Sequence, residues 1–373
     1  MVSLGSARNS ATSLVSVVCT TYNRGAAIRR TLASVLAQSV ADLELLVVSD
    51  GSTDDTHDHV AAVAERDPRV RLIVIEHGGV PSRAMNAGIS AARGDHLAYI
   101  DHDDEWTPEH LAVLLRELED GADLAAAGST WVDPAGELVS TRPSAALFWH
   151  PDIQVINPVF ENSQAAHRTE WIERVGPWRE EEFGLEDWDM WLRMSDAGAR
   201  VSTVETPTVR KTMARSNRHR SLPQRHVLEL VRCPSVRAAW QAARALSHPT
   251  TAARLAEAAG TDAETWYQEL AATDRFVFPR GFAPTREEAV RRVPEALRHS
   301  RDADRGLEDP VSMRIEPDGD GAVLVQDISC MTAEHAARYA RTLRRAQPTV
   351  FAIVDEVTAD WAREPTASGV RMT

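Results

Sequence analysis

Short, near-continuous apolar runs alternate with helix-period patterns over the first third of this chain. Leu14-Val15-Ser16-Val17-Val18-Cys19, Leu43-Glu44-Leu45-Leu46-Val47-Val48, Leu72-Ile73-Val74-Ile75 and Leu97-Ala98-Tyr99-Ile100 read as buried strands, with Leu124-Ala125-Ala126-Ala127 a weaker fifth. Such strands suit a parallel sheet covered on both faces. Between them, Ile28, Leu32, Val35 and Leu36 fall on one helix face, and Val60, Val63 and Ala64 mark a second helix. Leu111, Leu114, Leu115 and Leu118 mark a third, expected to start at Thr107 with Pro108 in its first turn. The strand–helix alternation predicts an α/β, doubly wound domain whose ligands bind beyond the carboxyl ends of the strands.

Regularity falls after residue 127, although Trp188, Trp191 and Leu192 share a helical face. From about Ser216 a basic segment (Arg215, Arg218, His219, Arg220, Arg225) leads into Ala-rich helical stretches through Ser300. Val311, Met313 and Ile315 alternate like a half-buried strand, Pro317 to Gly321 reads as a turn and Ala322 to Ile328 as a strand. Ala333 to Ala346 reads as a helix and Thr349 to Val354 as a further strand. The expected organisation is a tail (1–13), an α/β domain (14–215) and a mixed helical α+β region (216–373) serving an acceptor or association role.

Composition narrows the classes. With 41 Lys plus Arg against 55 Asp plus Glu, the formal charge is −14, which disfavours nucleic-acid partners. No apolar run has the roughly 18–20 residues of a membrane span, and residues 1–13 lack a hydrophobic signal core. Cys19, Cys233 and Cys330 are widely spaced without metal-ligand spacing, as expected of reduced thiols in a cytoplasmic protein.

Polar clusters follow each strand. Asp101-His102-Asp103-Asp104-Glu105 puts four carboxylates among five residues, which repel unless a cation intervenes. Asp-x-Asp in an extended segment aims two carboxylates to one side, a way to hold Mg²⁺ or Mn²⁺; an acidic loop capping the next helix is the other reading. After the first strand, Thr20, Thr21, Tyr22, Asn23, Arg24 and Gly25 offer hydroxyls, a ring and a cation, or simply a helix-capping turn. After the second, Asp50 is an acceptor suited to a base or ribose, while Asp54 suits an N-cap. Gly78 and Gly79 permit close backbone approach near Arg83, without the spacing of a dinucleotide loop. Glu186 and Asp187 precede an aromatic-rich helix, where burial against tryptophan raises a carboxylate toward a useful general base; helix capping is the alternative.

In this order the segments resemble family 2 glycosyltransferases of the GT-A, Rossmann-like fold. The matching residues are Val15 to Val18 with Thr20, Tyr22, Asn23 and Arg24; Asp50-Gly51-Ser52 with Asp54; and Asn86-Ala87-Gly88-Ile89 with Arg93-Gly94-Asp95. Asp101-His102-Asp103-Asp104 and Gly176-Pro177-Trp178 with Glu186-Asp187-Trp188 through Arg193 complete the set, so the likeness spans residues 14–215. The resemblance implies a nucleoside-diphosphate-sugar donor held by Thr20, Tyr22, Arg24, Asp50, Arg83, Asp101 and Glu186. It further implies Mn²⁺ or Mg²⁺ on Asp103, and Asp187 as the base of an inverting transfer to an acceptor hydroxyl or amine. His102 departs from the small residue common in that motif, and Arg210 to Arg220 only loosely follow the family's later basic element. A Gln/Arg-x-x-Arg-Trp signature is absent, which points to single rather than processive transfer. Self-association is a further expectation. Two rival classes stay open: a nucleotidyltransferase and a non-catalytic sugar-nucleotide-binding or scaffold protein.

Overall fold

The computed structural model describes residues 14–133, 135–181, 184–212, 226–304, 313–328, 330, 332–362 and 370–372. The chain runs β1 (Val15–Thr21), α1 (Ile28–Leu36), β2 (Leu43–Asp50), α2 (Thr56–Ala64), β3 (Val70–Ile75), α3 (Pro81–Ala91), β4 (His96–Asp101), β5 (Glu105–Trp106), α4 (His110–Glu119), β6 (Leu124–Val132) and β7 (Leu138–Thr141). Next come α5 (Pro151–Ile156), β8 (Ala165–Arg168), α6 (Glu170–Val175), α7 (Glu186–Asp196), β9 (Val201–Thr212) and β10 (His226–Cys233). It ends with α8 (Val236–Leu246), α9 (Pro249–Ala271), α10 (Arg286–Asp304), β11 (Met313–Asp318), β12 (Gly321–Ile328), α11 (Ala333–Ala346), α12 (Pro348–Thr358) and β13 (Val370–Met372).

Over the described residues the chain divides into two units. The first holds Met1–Ser140, Asn162–Glu180 and Pro207–Met213; the second holds Thr141–Glu161, Glu181–Thr206 and Ala214–Thr373. The sequence reading draws one boundary after residue 215, whereas these units interleave across it.

In the first unit, the apolar runs of β1, β2 and β4 become the buried middle of a sheet ordered β3-β2-β1-β4-β8-β6-β9-β5, with β7 on β6. Leu72–Ile75, expected as a buried strand, instead lies in the edge strand β3, where only Val70 is buried and Val74 is 54% exposed. β3, β2, β1 and β4 are parallel; β8 turns antiparallel against β4 and β6. Every residue of β1 and β2 is buried, as a run apolar on both faces requires. α1 lays Ile28, Thr31, Leu32 and Val35 against this core. α3 crosses so closely that a Cβ on Gly88 would stand 2.5 Å from Val18 Cγ1, which accounts for the glycine.

The polar residue inside the β2 run has a structural task. Glu44 accepts from Ser16 Oγ (2.7 Å) and the Arg93 backbone N–H (2.7 Å), and from the side chains of Arg93 Nε (3.0 Å) and Arg71 (3.1 Å). Burial alone would raise its carboxyl, but these hydrogen bonds hold it below the usual glutamate value. Its contribution is therefore present above the unfolded glutamate pKa and is lost as pH falls through the lower folded value. Glu44→Gln is expected to cost about 2 kcal/mol at neutral pH, since both guanidinium partners are solvated, and to flatten the acid limb of stability. Urea unfolding at several pH values between neutral and acid checks this; an unchanged acid limb contradicts it.

The second unit contains a four-stranded antiparallel sheet, β11-β12-β10-β13. One side of the core joins Val231, Cys233, Ala239, Leu246, Leu324 and Val354, another Leu228, Ile328, Cys330, Ala336, Ala340 and Phe351.

Several expectations need correction. α4 starts at His110 rather than at Thr107, whose carbonyl accepts the His110 N–H in a turn. Residues 349–354 are not a strand but part of α12: Pro348 opens the helix, and Phe351, Val354 and Thr358 fall on one buried face. Packing here overrides β-branched propensity. His226–Cys233, expected within a basic lead into helices, is strand β10, its alternation matched to β12. The Gly319–Asp320 corner between β11 and β12 is tighter than the turn expected from Pro317. Val311 and the basic residues Arg215, Arg218, His219, Arg220 and Arg225 lie outside the described residues.

Candidate functional site at the strand ends and the start of α7

In the first unit, parallel register carries the polar clusters to one end of the sheet. Thr20 lies opposite Val48 on one side and Asp101 on the other, and Asp50 ends β2. The loops after β1 and β2 are stitched together. Asn23, at φ 49°, donates its N–H to Ser52 Oγ (3.0 Å) and accepts the Thr53 N–H on Oδ1 (2.8 Å). Thr56 Oγ1 accepts from the N–H groups of Arg24 and Gly25 (both 2.8 Å). Asp54 accepts the Thr56 N–H (3.1 Å), a local structural bond, although the N-cap of α2 is Asp55 rather than Asp54.

Asp50 is a hub. Its Oδ1 accepts the Gly78 N–H (2.8 Å), its Oδ2 the Gly79 N–H (2.9 Å), and His77 Nδ1 stands 3.0 Å from Oδ2. This brings the imidazole of His77 flat against Tyr22, with ring centroids 4.2 Å apart at 17°. Arg83, from the first turn of α3, lies over Gly78 so closely that a Cβ there would overlap the guanidinium. No ion pair to Arg83 or to the exposed Arg24 occurs among the described residues.

The acidic run resolves its repulsion unevenly. Asp104 is buried and paired with buried Lys211 (3.4 Å), whose ammonium also sits over the Trp131 ring at 5.5 Å. Glu105 has Arg30 at 3.9 Å. Asp101, the last residue of β4, donates its N–H to Ser163 Oγ (3.0 Å). Asp103 keeps a side chain 52% exposed, with His102 Nε2 at 4.0 Å. The unexpected His102 also meets the Thr20 carbonyl through Nδ1 (3.0 Å), tying the run to β1. The Cys19 thiol is pushed up, first by burial and then by the carboxylates of Asp101, Asp103 and Asp104. Their negative field thus reaches into β1.

In the second unit, Glu186 and Asp187 form the first turn of α7, where the helix dipole favours anions. Leu185 at the N-cap supplies no side-chain bond; Asp187 Oδ1 instead accepts the Trp188 N–H (2.8 Å). Glu186 is buried, and Asp189 is spent on Arg193 (2.7 Å). A cavity of about 480 Å³ opens beside Asp187, within the size range of small-molecule sites. Trp178, Trp188 and Trp191 are 1%, 4% and 1% exposed, so all three are core rather than open stacking faces. Trp188 donates its indole N–H to the Gln154 carbonyl (2.6 Å).

The structure thus gathers Thr20, Tyr22, Arg24, Asp50, Arg83, Asp101 and Asp103 at one sheet end of the first unit, and sets Glu186 and Asp187 on a helix of the second. Sequence reasoning passed over His77 and Lys211. Tyr22 and Asp50 foreshadow the first only through folding, and the second is the chain's one lysine, in a strand of mixed polarity.

Comparison with known proteins fits this geometry. The model of the family described as "Glycosyl transferase family 2" matches residues 16–171. The succinoglycan biosynthesis protein ExoO of Rhizobium meliloti (strain 1021) is 36% identical over 157 residues, 42% of this chain and 44% of that protein. Chondroitin synthase of Pasteurella multocida (strain Pm70) is 36% identical over 129 residues, 34% of this chain and 13% of that protein. The uncharacterized glycosyltransferase YibD of Escherichia coli (strain K12) is 36% identical over 121 residues, 32% of this chain and 35% of that protein. The matched segment spans less than half the length of each of these relatives. The family match contains Thr20 through Asp103 and ends before α7. Over residues 16–171 this chain is therefore similar to glycosyl transferase family 2.

Proposed function

We propose that this protein is an inverting, divalent-metal-dependent glycosyltransferase that moves one sugar from a nucleoside diphosphate to an acceptor hydroxyl or amine in a single step. The observation that carries the reading is the placement of Asp50 at the end of β2, and of Asp101 and Asp103 at and just after the end of β4, inside the family 2 match. Three buried free thiols suit a reducing, cytoplasmic setting, and no helix among the described residues is long and apolar enough to cross a membrane.

The nucleotide is assigned to the first unit. The Tyr22–His77 stack offers a flat surface for a base. Thr20 and Asp50 supply polar contacts to base and ribose; each carboxylate oxygen has more than one lone-pair site, so the Gly78 and Gly79 bonds do not exhaust Asp50. Arg83 and the N-terminus of α3 suit a diphosphate, with Arg24 beside them.

The residues present fit a divalent metal. With Asp104 committed to Lys211, a half-exposed carboxylate remains on Asp103, with Asp101 two residues away. Among the described residues no cluster of three or more His, Cys, Asp or Glu forms a cage, but Mg²⁺ commonly takes one or two carboxylates plus substrate phosphates and water. Asp103 would hold the ion and Asp101 the ribose or a bound water. The ion's contribution when bound is Lewis-acid neutralisation of the departing diphosphate.

Asp187 is assigned as the base. The Trp188 N–H fixes its carboxylate direction, and the acceptor's proton passes to it as the acceptor oxygen or nitrogen bonds to the anomeric carbon. The bond from that carbon to the phosphate oxygen breaks with its electron pair staying on the nucleoside diphosphate, and the anomeric centre inverts. Glu186 is assigned to the donor sugar. Incubating the protein with UDP-, GDP- and dTDP-sugars without acceptor tests the reading. Release of nucleoside diphosphate from one donor is expected. Release of pyrophosphate would mean nucleotidyl transfer, and no turnover of any donor a binding or scaffold role.

A further inference from the structure

The cavity beside Asp187 has a wall that family resemblance does not supply. Its lining takes Asp327 and Ile328 from the end of β12 and Tyr339 from α11, together with Arg142 and Glu161. All of these residues belong to the second unit. α11 is fastened to its neighbours by several side chains. His335 Nε2 meets the Val155 carbonyl (2.8 Å), Arg338 pairs with Asp196 (2.7 Å), and Arg345 pairs with Asp152 (3.1 Å). His335 also sits edge-on to the Trp188 ring, with centroids 4.9 Å apart. The wall is thereby held in place before any ligand arrives.

We propose that this cavity is the acceptor site, that the C-terminal part of the chain sets its specificity through Asp327 and Tyr339, and that it takes a polyhydroxylated, sugar-like acceptor bearing no anionic group. The inference rests on the assignment of Asp187 as base. Charge carries it. Among the described residues the lining offers three carboxylates, on Glu161, Asp187 and Asp327, against the guanidinium of Arg142, with Arg314 paired to Asp327 from outside the lining. An acceptor carrying a carboxylate, sulfate or phosphate would meet like charges in a confined space. Hydroxyls, which donate to carboxylates and accept from a phenol or guanidinium, suit the same lining. Arg314 holds Asp327 by two bonds, from Nε (2.8 Å) and from its terminal nitrogen (2.7 Å), which fixes that carboxylate in place. Burial pushes the Tyr339 phenol up to about 12, which keeps it a neutral donor. Ile156, Leu185, Ile328 and the Tyr339 ring give an apolar surface for the non-polar face of a sugar.

The test uses the full chain, the donor it turns over, and matched methyl glycosides offered as neutral sugars, amino sugars and the corresponding uronates. The wild type is expected to favour neutral over uronate acceptors by at least about tenfold in kcat/KM. Tyr339→Phe, which removes only a hydroxyl, and Asp327→Asn are each expected to raise acceptor KM about tenfold, with kcat less affected. Asp327→Asn should also narrow the gap between neutral and uronate acceptors, a change that general weakening of the fold would not produce. Equal use of uronates, or wild-type acceptor KM in both variants, overturns the proposal. So does a wild type that releases nucleoside diphosphate but glycosylates nothing in the panel. If no donor is turned over at all, the glycosyltransferase reading itself fails, and this inference with it.

Discussion

Asp187→Asn is expected to lower kcat by on the order of 10²–10⁴, the usual worth of a general base, with donor affinity nearly unchanged. The substitution is close to isosteric, and an Asn oxygen still accepts the Trp188 N–H that the carboxylate accepts at 2.8 Å. What it removes is one negative charge from the first turn of α7, worth about 0.3–1 kcal/mol against the helix dipole. Glu186 and Asp189 remain in that turn, so the fold should survive. A kinetic loss of 10²–10⁴ corresponds to roughly 3–5 kcal/mol, well beyond that capping contribution. Glu186→Gln is expected to do less. Steady-state kinetics beside thermal unfolding separates the two roles. Full activity in Asp187→Asn removes the base assignment, whereas a large drop in Tm with kcat preserved assigns the residue to capping.

Two neighbours in the acidic run should behave in opposite ways. Asp103→Asn changes a half-exposed side chain, so stability should move within about 0.5 kcal/mol, yet Mn²⁺-dependent tightening of nucleoside-diphosphate binding should disappear. Asp104→Asn removes the carboxylate charge 3.4 Å from the buried ammonium of Lys211, and should cost about 3–5 kcal/mol of stability. Calorimetric titration of UDP, GDP and dTDP with and without Mn²⁺ reads the first effect, and urea unfolding the second. Metal-dependent affinity that survives in Asp103→Asn would reduce the run to a structural loop.

The parallel core was legible in the sequence because β1, β2 and β4 are apolar on both faces, as a covered parallel sheet requires, whereas the apolar run of β3 gave no sign that this strand lies half-exposed at the sheet edge. The helices with clean apolar stripes, α1 and α11, were legible for the same reason. α12 was misread because its β-branched residues favour a strand locally, and only contact with the rest of the second unit selects the helix. The site divides similarly. Asp50, Asp101 and Asp103 stand out as carboxylates immediately after apolar strands, a local signal. That Asp104 belongs to Lys211, 107 positions later, or that Tyr22 stacks on His77, depends on long-range pairing that no spacing encodes. The walls of the cavity beside Asp187 come from residues 142, 161, 327 and 339, a set assembled only by the fold of the second unit.

The most direct test is to incubate the protein with Mn²⁺, a panel of nucleoside-diphosphate sugars and a mixture of neutral oligosaccharides, and to follow acceptors by mass spectrometry and nucleotides by chromatography. The account predicts that one donor yields an acceptor heavier by a single sugar residue, with one nucleoside diphosphate released per transfer and no polymer ladder. Pyrophosphate in place of nucleoside diphosphate, or unchanged acceptors and donors across the whole panel, would contradict it.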